Sequence, residues 1–300
     1  MVDVVNVFDR QTVRRNRDRA APNLSTFDFL YVETATRLVD RLDDVKRTFP
    51  LALDIGCHGG ELARVIAGRG GIEQLIACDL SQRMAAKARN EGVKTAVVDE
   101  EALPFKVGTF DLILSNLSLH WTNDLPGTLV QMRHALKADG LLLVSMLGGA
   151  TLRELRDSMY RAEIEIENGL SPRFSPLADV RDLGNLLHRA GFALPVTDYE
   201  TLTVSYDNPL KLMRDLRGMG ENNANLDRRE TFSRRDTIMR AAKIYEETYM
   251  GNDGRIPATF EVISLTAWAP ALSQPKPLPR GSAQIQLGTA LNLTKLDPDG

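Results

Sequence analysis

From residue 50 onward the chain carries five short apolar runs, at 51–55, 74–80, 94–98, 110–115 and 141–147, separated by amphipathic stretches. Runs this short and this apolar read as strands covered on both faces, because a half-solvated strand would alternate polar with apolar residues. Helical patterns follow several of them, running from Gly60 through Ala67, over 81–90 and over 124–138. Strands joined by helices are crossover-connected and lie parallel. The predicted architecture is α/β, a doubly wound parallel sheet.

Beyond residue 147 the alternation loosens. Helices are predicted at 151–168, 178–190, 208–219 and 235–249, and strands near 196–205 and 259–267. Upstream, residues 1–23 are polar and rich in arginine (Arg10, Arg14, Arg15, Arg17, Arg19). A helix is predicted from Ser25, as N-cap, to about Phe49, with Leu30, Thr34, Leu38 and Leu42 on one stripe. Pro270, Pro275, Pro277, Pro279 and Gly281 mark an irregular tail. The expected division is a helical arm over 1–49, a main domain over 50–269 with a helical insertion at 208–249, and the tail over 270–300.

Charge and cysteine usage remove several function classes. A net charge of −3 opposes nucleic-acid binding, which needs a basic excess to meet phosphates. No stretch approaches the roughly 18 uninterrupted apolar residues of a membrane span. Cys57 and Cys78 are the two cysteines, too few for a disulfide framework or a four-cysteine zinc site. The N-terminus lacks a signal peptide's apolar core, and Asp3, Asp9 and Asp18 count against a transit peptide. A soluble protein of a reducing, cytoplasmic compartment is expected, with peripheral association at an inner membrane left open.

Four segments carry potential chemistry. Asp54-Ile55-Gly56-Cys57-His58-Gly59-Gly60 lies where the first strand meets a helix, and glycine there permits a sharp turn or close approach of a ligand. Asp79 ends the second strand and can accept both hydroxyls of a ribose, or cap the following helix. Asp99, beside Glu100 after the third strand, can accept an exocyclic amine, or sit in a solvated acidic turn. The fourth runs from Phe110-Asp111 through Ser115-Asn116-Leu117 to Leu119-His120-Trp121.

In this order the segments resemble the class I S-adenosylmethionine-dependent methyltransferases. The resemblance implies a seven-stranded Rossmann-like sheet, S-adenosylmethionine as cofactor, and cofactor contacts from Asp54, Gly56, Cys57, His58, Gly60, Asp79, Leu80, Met84, Asp99, Glu100, Ser115, Asn116 and Leu117. His58 departs from the pattern, which commonly has glycine there. Leu103-Pro104-Phe105 and the run to Trp121 resemble the branch containing the biotin-pathway carrier-protein methyltransferase. A longer match covers nearly the whole chain. Val7-Phe8-Asp9-Arg10, Tyr199 to Val204, Leu212 to Ala224, Ile256 to Val262 and Pro279 to Ala283 resemble the assembly factor 5 family of respiratory complex I. That resemblance implies hydroxylation of an arginine in a complex I subunit or assembly intermediate, a protein substrate.

Of the four histidines, His134 and His188 fall on predicted helices and read as surface or packing residues. His120 follows the fourth strand, at the sheet edge where α/β folds bind ligands, and is the candidate catalytic group. No histidine and carboxylate spacing indicates a metal site. Trp121, Glu221 and Asn222 are the candidate substrate contacts: Glu221 offers a carboxylate to a guanidinium, and Asn222 and Asn223 offer amides, unless the segment merely caps a helix. The arginines at 10–19 form either a solvated face or a lid whose cations meet the cofactor's carboxylate or an acidic partner. Dispersed Arg228, Arg229, Arg234 and Arg235 read as exposed. The competing functions are a methyltransferase acting on a small molecule or carrier protein, and a non-catalytic assembly chaperone. Nicotinamide-dependent oxidoreduction is disfavoured because the loop is not G-x-G-x-x-G.

Overall fold

Alternate residues of the central strands point to opposite faces of the sheet, and both sets are apolar. Leu53, Ile55, Ile113, Leu142 and Val144 enter one core, while Ala52, Leu112, Leu114, Leu141 and Leu143 enter another. Such a sheet is stable only with helices on both sides.

The computed structural model describes residues 6–275 and 281–282. Among them, seven strands form one sheet: β1 (Leu51–Ile55), β2 (Gln74–Asp79), β3 (Lys94–Val97), β4 (Phe110–Asn116), β5 (Leu136–Leu147), β6 (Ala193–Tyr206) and β7 (Ile256–Trp268). Their order is β3-β2-β1-β4-β5-β7-β6. The first five are parallel, and β7 lies antiparallel between β5 and β6. The order reverses between β1 and β4, so the crevice at their carboxyl ends is the switch point where open α/β sheets take ligands.

The helices are α1 (Arg10–Ala20), α2 (Phe29–Asp40), α3 (Glu61–Ile66), α4 (Gln82–Asn90), α5 (Leu125–Ala135), α6 (Arg153–Glu167), α7 (Val180–Arg189), α8 (Pro209–Met219) and α9 (Arg235–Tyr249). Leu129 and Met132 of α5 and Leu183 and Leu187 of α7 cover one face. Leu38 of α2 and Leu62 of α3 cover the other. Helices α6, α8 and α9 build a third cluster with Leu24, Tyr31, Met84 and Phe260. Helices α8 and α9 fall between β6 and β7 in the chain, within the 208–249 stretch read as helical.

Two local expectations are corrected. Ser25 caps no helix: α1 runs into a 3₁₀ turn, Ala21–Thr26, that begins around Pro22, and α2 starts only at Phe29 and stops at Asp40. Strand β5 begins at Leu136 rather than 141. Leu136 pairs with Phe110 and Leu141 with Leu112, so the intervening residues bulge, with Asp139 at φ 65°. The compact unit ends at Pro270, and Ala271 onward belongs to a second unit, whose described part contains a turn at 272–273. Most of the predicted 270–300 tail, Pro277 and Pro279 included, lies outside the described residues.

Candidate functional site

The turn after β1 is built for close packing. Gly56 has φ 70°, and a Cβ there would fall 1.9 Å from Ser118 Oγ. His58 adopts φ 45°, a left-handed conformation that favours glycine, so the loop accepts its side chain at some backbone cost. The His58 amide donates to Asp79 Oδ2 at 3.1 Å. Its Nε2 lies 3.2 Å from both Asn116 O and Leu117 O and therefore carries the proton, leaving Nδ1 as a buried acceptor without a partner. Burial, assisted by the Arg17 charge, lowers the His58 pKa and keeps the ring neutral.

Asp79, fully buried at the end of β2, also accepts from the Ser81 amide at 2.7 Å. Its remaining capacity meets Arg17 of α1, whose Nη1 is 3.3 Å from Oδ1. The same nitrogen is 2.8 Å from Glu100 Oε1, and Arg17 Nη2 donates to Ser118 Oγ at 2.8 Å. Arg10, one helical face away from solvent, donates from Nη2 to Asp99 Oδ1 at 2.7 Å and to Glu100, and from Nη1 to Trp121 O at 3.0 Å. Burial works against ionising Glu100, but Arg17 and Arg10 outweigh it and hold its pKa at about 2. The arm's arginines thus divide. Buried Arg17 and half-buried Arg10 lie seven residues apart on the stripe that carries Val13, while Arg14 and Arg15 face water. Arg228, read as exposed, instead pairs with Asp9 at 3.0 Å.

Asp54 is fully buried, and neither of its oxygens has a hydrogen-bond partner among the described residues. Burial, with Glu61 and Asp79 nearby, pushes its pKa well up. Burial likewise raises Glu61 to about 7, although Gly59 N donates to it at 2.9 Å. Cys57 and Cys78 are buried thiols whose pKa values burial drives upward, which makes them inert fillers.

On the other side of the β4 end lies a mostly apolar cavity of about 350 Å³. Leu30, Leu117, Met159, Leu216 and Phe260 contribute walls, and Glu221 contributes a carboxylate. Glu221 follows α8, whose C-cap Gly220 has φ 90°, so the segment both ends a helix and enters the cavity. Three side chains hold the carboxylate. Tyr31 Oη donates to Oε1 at 2.8 Å, Trp121 Nε1 donates to Oε2 at 2.9 Å, and His120 Nε2 lies 3.2 Å from Oε2. Burial opposes the charge of Glu221, but His120 beside it and the Tyr31 hydroxyl overcome it and bring the pKa down to about 2. With Nε2 directed at a carboxylate, His120 Nδ1 is the ring nitrogen without a partner. Asn222 lines the same cavity with its Nδ2 buried and unpartnered, while Asn223 donates to Pro172 O.

The structure therefore gathers Asp79, Asp99 and Glu100 around two arginines, and His120, Trp121, Glu221 and Asn222 around one cavity. It does not bring every candidate to these centres. Ser115 Oγ donates to Ile55 O, and Asn116 bonds Tyr31 O and the Ser145 hydroxyl. Met84 is packed in the α6–α9 core, and Leu80 packs with Phe8, Val13 and Trp121. Leu117 lines the cavity. His134 and His188 are exposed on α5 and α7. Sequence reasoning missed Tyr31 and Ser118. Tyr31 sits on the apolar stripe of α2, where its hydroxyl gives no pattern signal, and Ser118 lies inside the Phe110–Trp121 run, where it is overshadowed by Ser115, Asn116 and His120.

This sheet order, with a glycine turn after β1 and carboxylates after β2 and β3, defines the class I methyltransferase fold. Residues 53–144 match the methyltransferase domain family. The crystal structure of YcgJ from Bacillus subtilis shares the fold, with a TM-score of 0.55 at 17% identity, covering 78% of this chain and 98% of that one. The chain belongs to the family of the arginine-hydroxylase NDUFAF5: the mitochondrial protein of Danio rerio is 44% identical, over 98% of this chain and 92% of its own. A malonyl-[acyl-carrier protein] O-methyltransferase of Gallionella capsiferriformans is 34% identical, over 88% of this chain and 92% of its own. Among the described residues no helix is long and apolar enough to cross a membrane.

Proposed function

We propose that the chain binds S-adenosylmethionine at the ends of β1, β2 and β3 and hydroxylates an arginine of a protein acceptor, a subunit or intermediate in respiratory complex I assembly, in the bacterial cytoplasm. The observation that carries the acceptor reading is Glu221. An ionised carboxylate, fixed by Tyr31, His120 and Trp121 in an apolar cavity, complements a cationic head on an apolar stem. The name borne by the Danio rerio relative supports arginine as that side chain.

The residues also fit the cofactor. The two unpartnered oxygens of buried Asp54 call for a donor, which the cofactor's ammonium group can provide directly or through water. Asp79 is a carboxylate at the position where α/β folds receive a ribose. Asp54, Asp79 and Asp99 would hold the group, with the Gly56–Gly60 turn beneath it. When bound, S-adenosylmethionine would supply an electrophilic methyl on a sulfonium, the chemistry of methyl transfer. Hydroxylation of an arginine C–H to C–OH is a two-electron oxidation whose oxygen atom would come from a separate co-substrate of the dioxygen or peroxide class. His120 Nδ1, buried and without a partner among the described residues, is the ring nitrogen that the Glu221 network leaves free.

A second reading, methyl transfer to a carrier-bound carboxylate, draws on the Gallionella relative. The anionic Glu221 disfavours it at its own end of the cavity, where an anionic acceptor would meet a like charge, whereas Arg156 and Arg173, which also line the cavity, would suit an anion. Titration calorimetry with S-adenosylmethionine and NAD, alongside complex I assembly in cells, tests the proposal. S-adenosylmethionine binding without NAD binding is expected. Glu221→Gln should keep the cofactor affinity and lose assembly; normal assembly by that variant would remove the arginine reading, and NAD binding alone would remove the cofactor reading.

A further inference from the structure

The three carboxylates best placed to read a nucleoside are already engaged by the chain's own guanidinium groups. Arg17 is 2% exposed, with Asp79, Glu100 and Ser118 as partners. Arg10 takes Asp99 and the second oxygen of Glu100. The space beside the glycine turn is filled as well: a Cβ on Gly59 would approach Leu24 Cδ2, just after α1, to 2.9 Å, and one on Gly56 would strike Ser118, just after β4. Asp79 accepts two backbone amides in addition to Arg17, so its oxygens cannot serve Arg17 and two ribose hydroxyls together.

Helix α1 is also stitched to the segment that carries Glu221. The Asp9 amide donates to Ala224 O at 2.8 Å, and the Leu226 amide to Val7 O at 2.8 Å. Arg228 Nη2 reaches Asp9 Oδ2 at 3.0 Å and Thr12 Oγ1 at 2.9 Å. Asn16 Nδ2 lies 3.4 Å from Asn222 O, and a Cβ on Gly220 would meet Ala20 and the Arg17 backbone.

We propose that Arg17 is an internal competitor for the ribose end of the cofactor site, withdrawn from Asp79 and Glu100 when S-adenosylmethionine binds, and that α1 transmits this withdrawal to the 220–228 segment. The inference rests on the S-adenosylmethionine reading above. Its logic is mass action: the apparent affinity of a site is reduced by the fraction of molecules in which it is open. A guanidinium held by two buried carboxylates keeps that fraction small, because leaving removes a charge partner from both, although Glu100 keeps Arg10 and Asp79 keeps its two amides. Weakening the latch raises the open fraction without touching a cofactor contact. Linkage makes the coupling reciprocal, so an acceptor that loosens the 220–228 segment would tighten cofactor binding.

The test compares S-adenosylmethionine affinity by titration calorimetry in the full chain, Arg17→Met and Arg17→Lys, with hydrogen exchange of residues 10–20 measured in the unsubstituted protein. Arg17→Met is expected to bind at least fivefold tighter. Arg17→Lys, which keeps the charge but loses the forked donor geometry, is expected to be intermediate and guards against a folding failure of the first variant. Exchange over 10–20 should accelerate when the cofactor is added. Equal or weaker binding by both variants, or stronger protection of 10–20 by cofactor, would overturn the proposal and make Arg17 a cofactor contact or a structural ion pair. If none of the three proteins binds S-adenosylmethionine, the underlying cofactor reading fails and the proposal with it. Binding by the unsubstituted chain with no gain in the variants leaves that reading standing and defeats only the latch.

Discussion

The rings of Tyr31 and His58 stack at 4.2 Å between centroids and 21° between planes, joining the glycine turn after β1 to the cavity floor. The same tyrosine donates to Glu221, so one side chain of α2 touches both halves of the site. Tyr31 is 1% exposed, and burial together with the Glu221 charge raises its pKa well above the usual value, which fixes the hydroxyl as a donor.

Removing that hydroxyl leaves the stack and deletes one donor to a buried carboxylate. Tyr31→Phe should therefore destabilise the fold by about 1.5–3 kcal/mol, the range for a hydrogen bond to a charged group. Urea unfolding measures it. A loss under about 0.5 kcal/mol would mean that Trp121 and His120 suffice to hold Glu221.

Glu221 also sets a pH dependence. Its folded pKa of about 2 lies below the ordinary 4.5, so its contribution to stability is present above pH 4.5 and is lost as the pH falls towards 2. The span corresponds to an upper limit of about 3 kcal/mol. Glu100 contributes in the same window through Arg17 and Arg10. Glu221→Gln should flatten the acid limb of a stability-against-pH curve without abolishing it. Parallel curves for the two proteins would show that Glu221 is not ionised in the native state.

The Gly56 turn gives a steric prediction. At φ 70° a side chain costs about 1–2 kcal/mol in the backbone alone. Collision of the new Cβ with Ser118 adds about 1–3 kcal/mol. Gly56→Ala should lower the thermal midpoint strongly, and adding Ser118→Gly should restore part of the loss. Additive losses in the double variant would locate the strain elsewhere.

How much of this was legible in the sequence follows from what each residue has to do. The strands were legible because a sheet covered on both faces leaves no polar alternation, and Leu53, Ile113 and Leu142 read accordingly. Asp79, Glu221 and His120 were legible as polar residues at predicted element ends. The start of β5 was not, because a bulge at 137–140 mimics a turn. Nor was the inward face of α1: arginines on a short amphipathic helix look solvated until their carboxylate partners, about 60 to 90 residues away, are folded against them. Ser25 misled because a cap signature also suits a 3₁₀ turn beside proline. Tyr31 was hidden because a core stripe and a site residue share the same spacing.

The most direct test of the central claim is peptide mass spectrometry of complex I subunits and assembly intermediates from cells with the chain, without it, and with Glu221→Gln. An arginine that gains one oxygen only in cells holding the unsubstituted chain is the predicted result. A subunit that instead gains a methyl group, or is identical in all three cells, would contradict the account.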